Sequence, residues 1–270
     1  MTELWTDLVA CLNLDEQPPL ADTTVFEGRN QKLDYHRVFG GQLLGQFTLA
    51  AALSFPDKTV KSLHVVFPRE GRADKPVRYR LERAHAGRTF ATVTATAEQA
   101  GKIIATASIS LHSTEDGPDF HSVAPIPALP SAEHKIDGMD LLPWEVRSLT
   151  DLNDPAARAP EYELWMRTPV VEPALSQAIA AYATDLTLIG TALLPVAGFD
   201  QRGNGTAFLS AVTSHTLWFH RPFRTDDWLL LRQHSPLLAH GRCFGRGDIL
   251  TESGSLVASY AQEAMVRLPA

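Results

Sequence analysis

Three short stretches of this 270-residue chain occur twice, in the same order. Gly87-Arg88-Thr89-Phe90 is echoed by Gly241-Arg242-Cys243-Phe244, and Gly101-Lys102-Ile103-Ile104-Ala105-Thr106 by Gly254-Ser255-Leu256-Val257-Ala258-Ser259. Arg69, Arg72 and Asp74 are echoed by Arg221, Arg224 and Asp226 at nearly the same offset. Any two antiparallel meanders share glycine turns, so a single echo carries little. Three in one order argue for an internal duplication, and so for two copies of one supersecondary unit.

Periodicity outlines that unit. Glu3 to Leu14 places Leu4, Leu8, Val9 and Leu12 at helical spacing, which predicts an amphipathic first helix. Phe39 to Leu53 is apolar, rich in small residues and free of proline, and predicts a buried helix entered through a Gly-Gly turn. From Thr59 four strand-like runs follow, ending near Arg69, His85, Gln99 and His112, with Gly, Pro or Asp between them. One helix followed by an antiparallel meander is the content of a hotdog fold. Ser113 to Glu172 breaks the pattern with many prolines, Pro125, Pro127 and Pro130 among them, and reads as a long surface linker. Pro173 to Leu194 is again helical, and strand-like runs restart from Thr206, Trp228, Arg242 and Ser255. The expected fold is α+β: a double hotdog of two fused helix-on-antiparallel-sheet repeats forming a continuous sheet, which would hide open strand edges. The expected domains are residues 1–112 and 173–270, joined by a linker at 113–172.

Composition removes several functional classes. The formal net charge is −7, from 24 basic and 31 acidic residues, which argues against a nucleic-acid partner. No apolar run approaches the ~18 residues of a membrane span. The N-terminal stretch is acidic where a signal peptide wants basic residues, so a cytoplasmic location is expected. Cys11 and Cys243 are too few and too far apart for a disulfide framework. The ten histidines form no HExxH or Cys/His cluster, and neither GxSxG nor GxxxxGK[ST] occurs. No metal or cofactor is therefore expected.

Several motifs carry a resemblance. Trp218-Phe219-His220-Arg221-Pro222-Phe223, Val257-Ala258-Ser259 with Gln262-Glu263, Val38-Phe39-Gly40-Gly41-Gln42 with Gly45-Gln46, and Tyr182-Ala183-Thr184-Asp185 resemble the acyl-CoA thioesterase II (TesB-like) family over residues 3 to 267. The resemblance implies hydrolysis of acyl-CoA to a free acid and CoA, in a homo-oligomer (dimer or tetramer). It also implies an Asp, a Gln and a Ser or Thr holding one water beside the thioester carbonyl. Carried over, the Asp is Asp185 and the Gln is Gln262. The family's hydroxyl position, six residues before Trp218, is Val212 here, with Thr213 and Ser214 just after it. Thr213 is the nearest replacement, although in a regular strand Val212 and Ser214 share a face that excludes it.

Read without the resemblance, Asp185 is equally a helix N-cap or a general base. Gln262 lies in the apolar run LVASYAQEAMV. A solvent-facing position there would turn Glu263 inward. Across the duplication Gln262 falls opposite Ile109 and Asp185 opposite Gln42, so the polar pair exists only in the second half. His64 and His215 are taken as matching, buried, hydrogen-bonded histidines. The oxyanion is expected to meet the N–H groups of the first central helix at Gly40 and Gly41. The acyl tail is expected to pass Leu43, Phe47 and Leu186. Two other readings stand beside hydrolysis: a non-hydrolytic acyl-CoA binding module, and a hydratase or dehydratase. The latter wants a histidine soon after Asp185, where this chain has Leu186-Thr187-Leu188-Ile189.

Overall fold

The computed structural model describes residues 3–20, 23–137 and 139–269. The chain forms two compact units. The first comprises Met1–Phe120, Glu172–Ala183 and Thr216–Phe219; the second His121–Val171, Thr184–His215 and His220–Ala270.

The first unit holds helices α1 (Glu3–Leu12), α2 (Gly40–Ser54) and α3 (Ser176–Ala183). Its strands are β1 (Asp15–Leu20), β2 (Thr23–Gly28), β3 (Thr59–Val66), β4 (Val77–Ala86), β5 (Phe90–Gln99) and β6 (Lys102–His112), in the order β1-β2-β4-β5-β6-β3. The four runs expected between Thr59 and His112 are the four strands of the meander. Their alternation is the reason. Val60, Leu63 and Val65 of β3, and Val93, Ala95 and Ala97 of β5, are buried while intervening residues reach solvent. The buried face receives α2, whose Phe47 packs edge-on against Tyr79 of β4 at 5.1 Å. Residues 41–51 of α2 are all buried, so it is a buried helix, as expected from its run of apolar and small residues. β1 and β2 were not anticipated. β1 reads Asp15-Glu16-Gln17-Pro18-Pro19-Leu20 and is almost wholly exposed, and an edge strand tolerates prolines that an interior one does not. Gly101 closes the β5–β6 hairpin behind Ala100, both with positive φ (74° and 48°), as a two-residue turn of this hand requires.

The second unit holds helix α4 (Leu188–Leu193) and strands β7 (Glu145–Arg147), β8 (Glu161–Arg167), β9 (Leu209–Phe219, its last four residues counted with the first unit), β10 (Leu229–Ala239), β11 (Arg242–Thr251) and β12 (Leu256–Arg267). Their order is β9-β12-β11-β10-β8-β7. A helix on an antiparallel sheet thus recurs, and the fold is a double hotdog. Two expectations need correction. The stretch read as a linker contributes β7 and β8, and β8 runs antiparallel to β10 with Tyr162, Leu164, Trp165 and Met166 buried. Its seven residues contain no proline; the prolines that suggested a linker flank it. The helix expected over Pro173 to Leu194 is interrupted. After α3 come the non-helical residues Thr184 to Thr187, and Thr187 is the N-cap of α4. Thr and Asp favour such breaks because their side chains compete for backbone hydrogen bonds. Among the described residues no helix is long and apolar enough to cross a membrane.

Candidate active site

The second unit carries a run of polar side chains where a sheet interior is normally apolar. Tyr260, Gln262, Ala264 and Val266 alternate on the buried face of β12. His215, at 1% exposure, stands beside them on β9, the neighbouring strand. Its Nδ1 lies 2.9 Å from Gln262 Oε1, and its Nε2 lies 3.0 Å from the hydroxyl of Thr184. Thr184 is wholly buried, and the next residue, Asp185, is 4% exposed. The break after α3 therefore brings Asp185 to the head of a buried chain, Thr184–His215–Gln262.

That chain has a second support. The Tyr260 ring stacks on His215, with centroids 6.0 Å apart and planes 11° from parallel. The Tyr260 hydroxyl accepts a hydrogen bond from Gln233 Nε2 at 2.8 Å. Gln233 Oε1 accepts in turn from the hydroxyls of Thr187 and Thr191 at 2.9 and 3.0 Å. Burial pushes the Tyr260 phenol well above its ordinary range, so it stays neutral. Buried polar groups nearly always find partners. Among the described residues, Gln262 Nε2 is a buried donor with no hydrogen bond. Leaving a buried donor unsatisfied costs about 1–3 kcal/mol.

Thr213 lies two residues before His215 and, where β9 is regular, shares its face; Val212 and Ser214 then take the other. The expectation that Val212 would occupy the hydroxyl position on a regular strand does not match the burial pattern. Ser210 and His215 are both buried although the odd step from 210 to 215 would put them on opposite faces of a regular strand, and residues 211–214 are all half-buried, so the alternation slips within this stretch. Such a slip is what a bulge produces. The Thr213 hydroxyl donates to the backbone carbonyl of Glu263 at 3.0 Å, which leaves its oxygen able to accept.

Among its described residues the first unit holds no equivalent chain. His64 is exposed, with Nδ1 2.6 Å from the Thr216 hydroxyl, so its expected match to His215 fails. Six residues before the matched arginines Arg69 and Arg221 stand Leu63 and His215, and Leu63 is the true counterpart. Gln42 is engaged structurally: it accepts from the Gln31 N–H and donates to Asn30 and Gln46. Gly40 opens α2 and is half-buried. Gly41 is buried, and a Cβ there would come 2.4 Å from the Tyr182 carbonyl oxygen, so close packing of α2 on α3 demands glycine. Leu43 and Phe47 are core side chains, at 3% and 0% exposure. Leu186, in the second unit, is half-buried.

Other nucleophiles are disfavoured. Burial pushes the Cys11 thiol up to about 12 and the Cys243 thiol up to about 11, far from a reactive thiolate. His220, Ser259 and Asp248 also line up, but Ser259 donates to Asp248 at 2.6 Å while His220 Nε2 meets the serine oxygen at 3.1 Å. The serine proton points away from the histidine, the reverse of what an activated serine needs. Among the described residues no three His, Cys, Asp or Glu side chains gather as a metal set.

Residues 31–112 match the family model of the acyl-CoA thioesterase N-terminal domain, and residues 115–266 that of the C-terminal domain. Human acyl-coenzyme A thioesterase 8 is 30% identical, over 95% of this chain and 88% of its own length. Acyl-CoA thioesterase 2 of Haemophilus influenzae is 29% identical over 99% of both. The crystal structure of an acyl-CoA thioesterase II, TesB2, from Mycobacterium marinum superposes with a TM-score of 0.77 at 30% identity, covering 97% of this chain and 99% of that one.

Proposed function

Because the chain belongs to the acyl-CoA thioesterase II (TesB-like) family and hydrolyses acyl-CoA to a free acid and CoA, we propose that one water, held by Asp185, Gln262 and Thr213, attacks the thioester carbonyl directly. The observation that carries this reading is the buried chain Thr184–His215–Gln262, which brings Gln262 toward the residue adjoining Asp185.

A thioester carbonyl is electrophilic enough for a positioned water to suffice without a covalent intermediate. Asp185 accepts one water proton as the C–O bond forms. The Thr213 oxygen, its own proton given to Glu263, accepts a hydrogen bond from the other. The Gln262 amide holds the water oxygen from the remaining side. Each group does little alone; holding all three in place converts a random encounter into a near-attack arrangement. The tetrahedral intermediate then expels CoA thiolate, a good leaving group, and the proton on Asp185 passes to it.

The test is Asp185→Asn, which keeps shape and removes the base. The turnover number, followed by thiol release from a panel of acyl-CoAs, should fall ~10²–10⁴-fold with an unchanged melting temperature. A variant hydrolysing at the parent rate would make Asp185 a structural residue of the α3–α4 break and sink the mechanism.

A further inference from the structure

We propose that His215 is a positioning residue whose task is to decide which end of the Gln262 amide faces the reacting water. The proposal rests on the reading that Gln262 holds that water. A glutamine amide has two ends of nearly equal shape and opposite character: the nitrogen donates two hydrogen bonds, the oxygen only accepts. The attacking water gives one proton to Asp185 and points the other at Thr213. Its oxygen then has one lone pair for the carbonyl carbon and one for a donor. Only the nitrogen end of Gln262 serves that second lone pair. The oxygen end would compete with Asp185 and Thr213 for the same two protons and leave the nucleophile unaligned.

The geometry around His215 selects the nitrogen end. Gln262 Oε1 faces His215 Nδ1 at 2.9 Å, and Nε2 is the buried donor without a partner among the described residues. A neutral imidazole has one donor and one acceptor. With Nδ1–H donating to Gln262 Oε1, Nε2 accepts from the Thr184 hydroxyl at 3.0 Å. A 180° flip of the ring, which keeps it parallel to Tyr260, would put carbons in place of both nitrogens and lose both hydrogen bonds. The opposite tautomer would reverse the whole chain and turn the Gln262 carbonyl to the water.

The duplication shows that the fold does not require this pair. In the first unit the counterparts are Leu63 and Ile109, which stand directly opposite across β3 and β6, both fully buried. A hotdog core of this sequence family member is satisfied by two aliphatic side chains at these places. The histidine and glutamine occur only in the half that carries Asp185.

The experiment compares two replacements that split the ring in two. The amide nitrogen of His215→Asn lies near the former Nδ1 and can still donate to Gln262; that of His215→Gln reaches the former Nε2 and cannot. His215→Asn should retain turnover within about threefold. His215→Gln should lose ~10–100-fold in the turnover number, with KM nearly unchanged, as when a group that orients an active ligand is removed. Nitrogen-15 NMR of the histidine-labelled parent enzyme, with the His215 signals identified by their loss in His215→Asn, should show the Nδ1–H tautomer. The Nε2–H tautomer would overturn the proposal, as would equal rates for the two variants. Gln262→Ala separates the two levels: full activity there overturns the water-holding reading and this proposal together, whereas an impaired Gln262→Ala beside a fully active His215→Gln overturns only the positioning role.

Discussion

Leu63 and Ile109 meet across β3 and β6 in the first unit; at the matching places of the second stand His215 and Gln262, joined by a hydrogen bond. The scaffold is the same, and the contents are opposite. The aliphatic pair contributes burial, about 1.5–3 kcal/mol for each side chain. The polar pair buries an amide whose Nε2 has no protein partner among the described residues, so it contributes less to folding than the aliphatic pair. A core position that carries the costlier content in one copy and not the other is not explained by packing, and fits the role proposed for the pair in hydrolysis. The central helices differ in the same sense. α2 runs unbroken for 15 residues and its polar Gln42 and Gln46 are bonded within the unit, whereas its counterpart stops at Ala183 to set Thr184 and Asp185 outside helical geometry.

The sharpest way to break this comparison is to erase it. Gln262→Ile should lower turnover ~10²–10³-fold, the loss typical of removing one preorganised donor. It also strands His215 Nδ1 and should destabilise by about 1–3 kcal/mol. Adding His215→Leu rebuilds the first unit's pair. The double variant should recover stability relative to Gln262→Ile in chemical denaturation and stay inactive, a coupling that a double-mutant cycle measures directly. Continued loss of stability in the double variant would mean that the two cores are not interchangeable. Ile109→Ala makes the converse point: it should cost about 2–5 kcal/mol through its cavity, with turnover per folded molecule unchanged. Thr213→Val should lose about tenfold or less, one hydrogen bond to the water of order 1 kcal/mol. Val212→Thr should change turnover least, because Thr213, two residues before His215, shares its face and Val212 takes the other. A gain from Val212→Thr would move the third group to that position.

Much of this is legible in the sequence. The meander β3 to β6 and helix α2 follow from alternation, turn glycines and the absence of proline, all local signals. Asp185 and Gln262 stand out because each is polar in an apolar run and the Asp/Gln pair has no equivalent in the first half. What escaped notice was non-local. β8 is ordinary strand sequence hidden between prolines, and only its pairing with β10 makes it part of a sheet. The break at Thr184 to Thr187 was masked by apolar residues on both sides. His215 was matched to His64 by letter rather than by face, and the face decides: Leu63 is buried and His64 exposed. Gln233 and Tyr260 carry no motif at all and are joined to the site only by contacts between distant segments.

The lone amide donor of Gln262 also bears on how this enzyme responds to selection. Variants chosen for heat resistance alone gain most where a buried polar group has no partner, and natural proteins trade stability for activity at such places. Screens that ignore turnover will therefore favour aliphatic residues at 215 and 262 and drift the second repeat toward a copy of the first. Screens confined to the first repeat meet no such conflict. Its core can be refilled and tightened by directed evolution without touching the residues on which hydrolysis is proposed to depend.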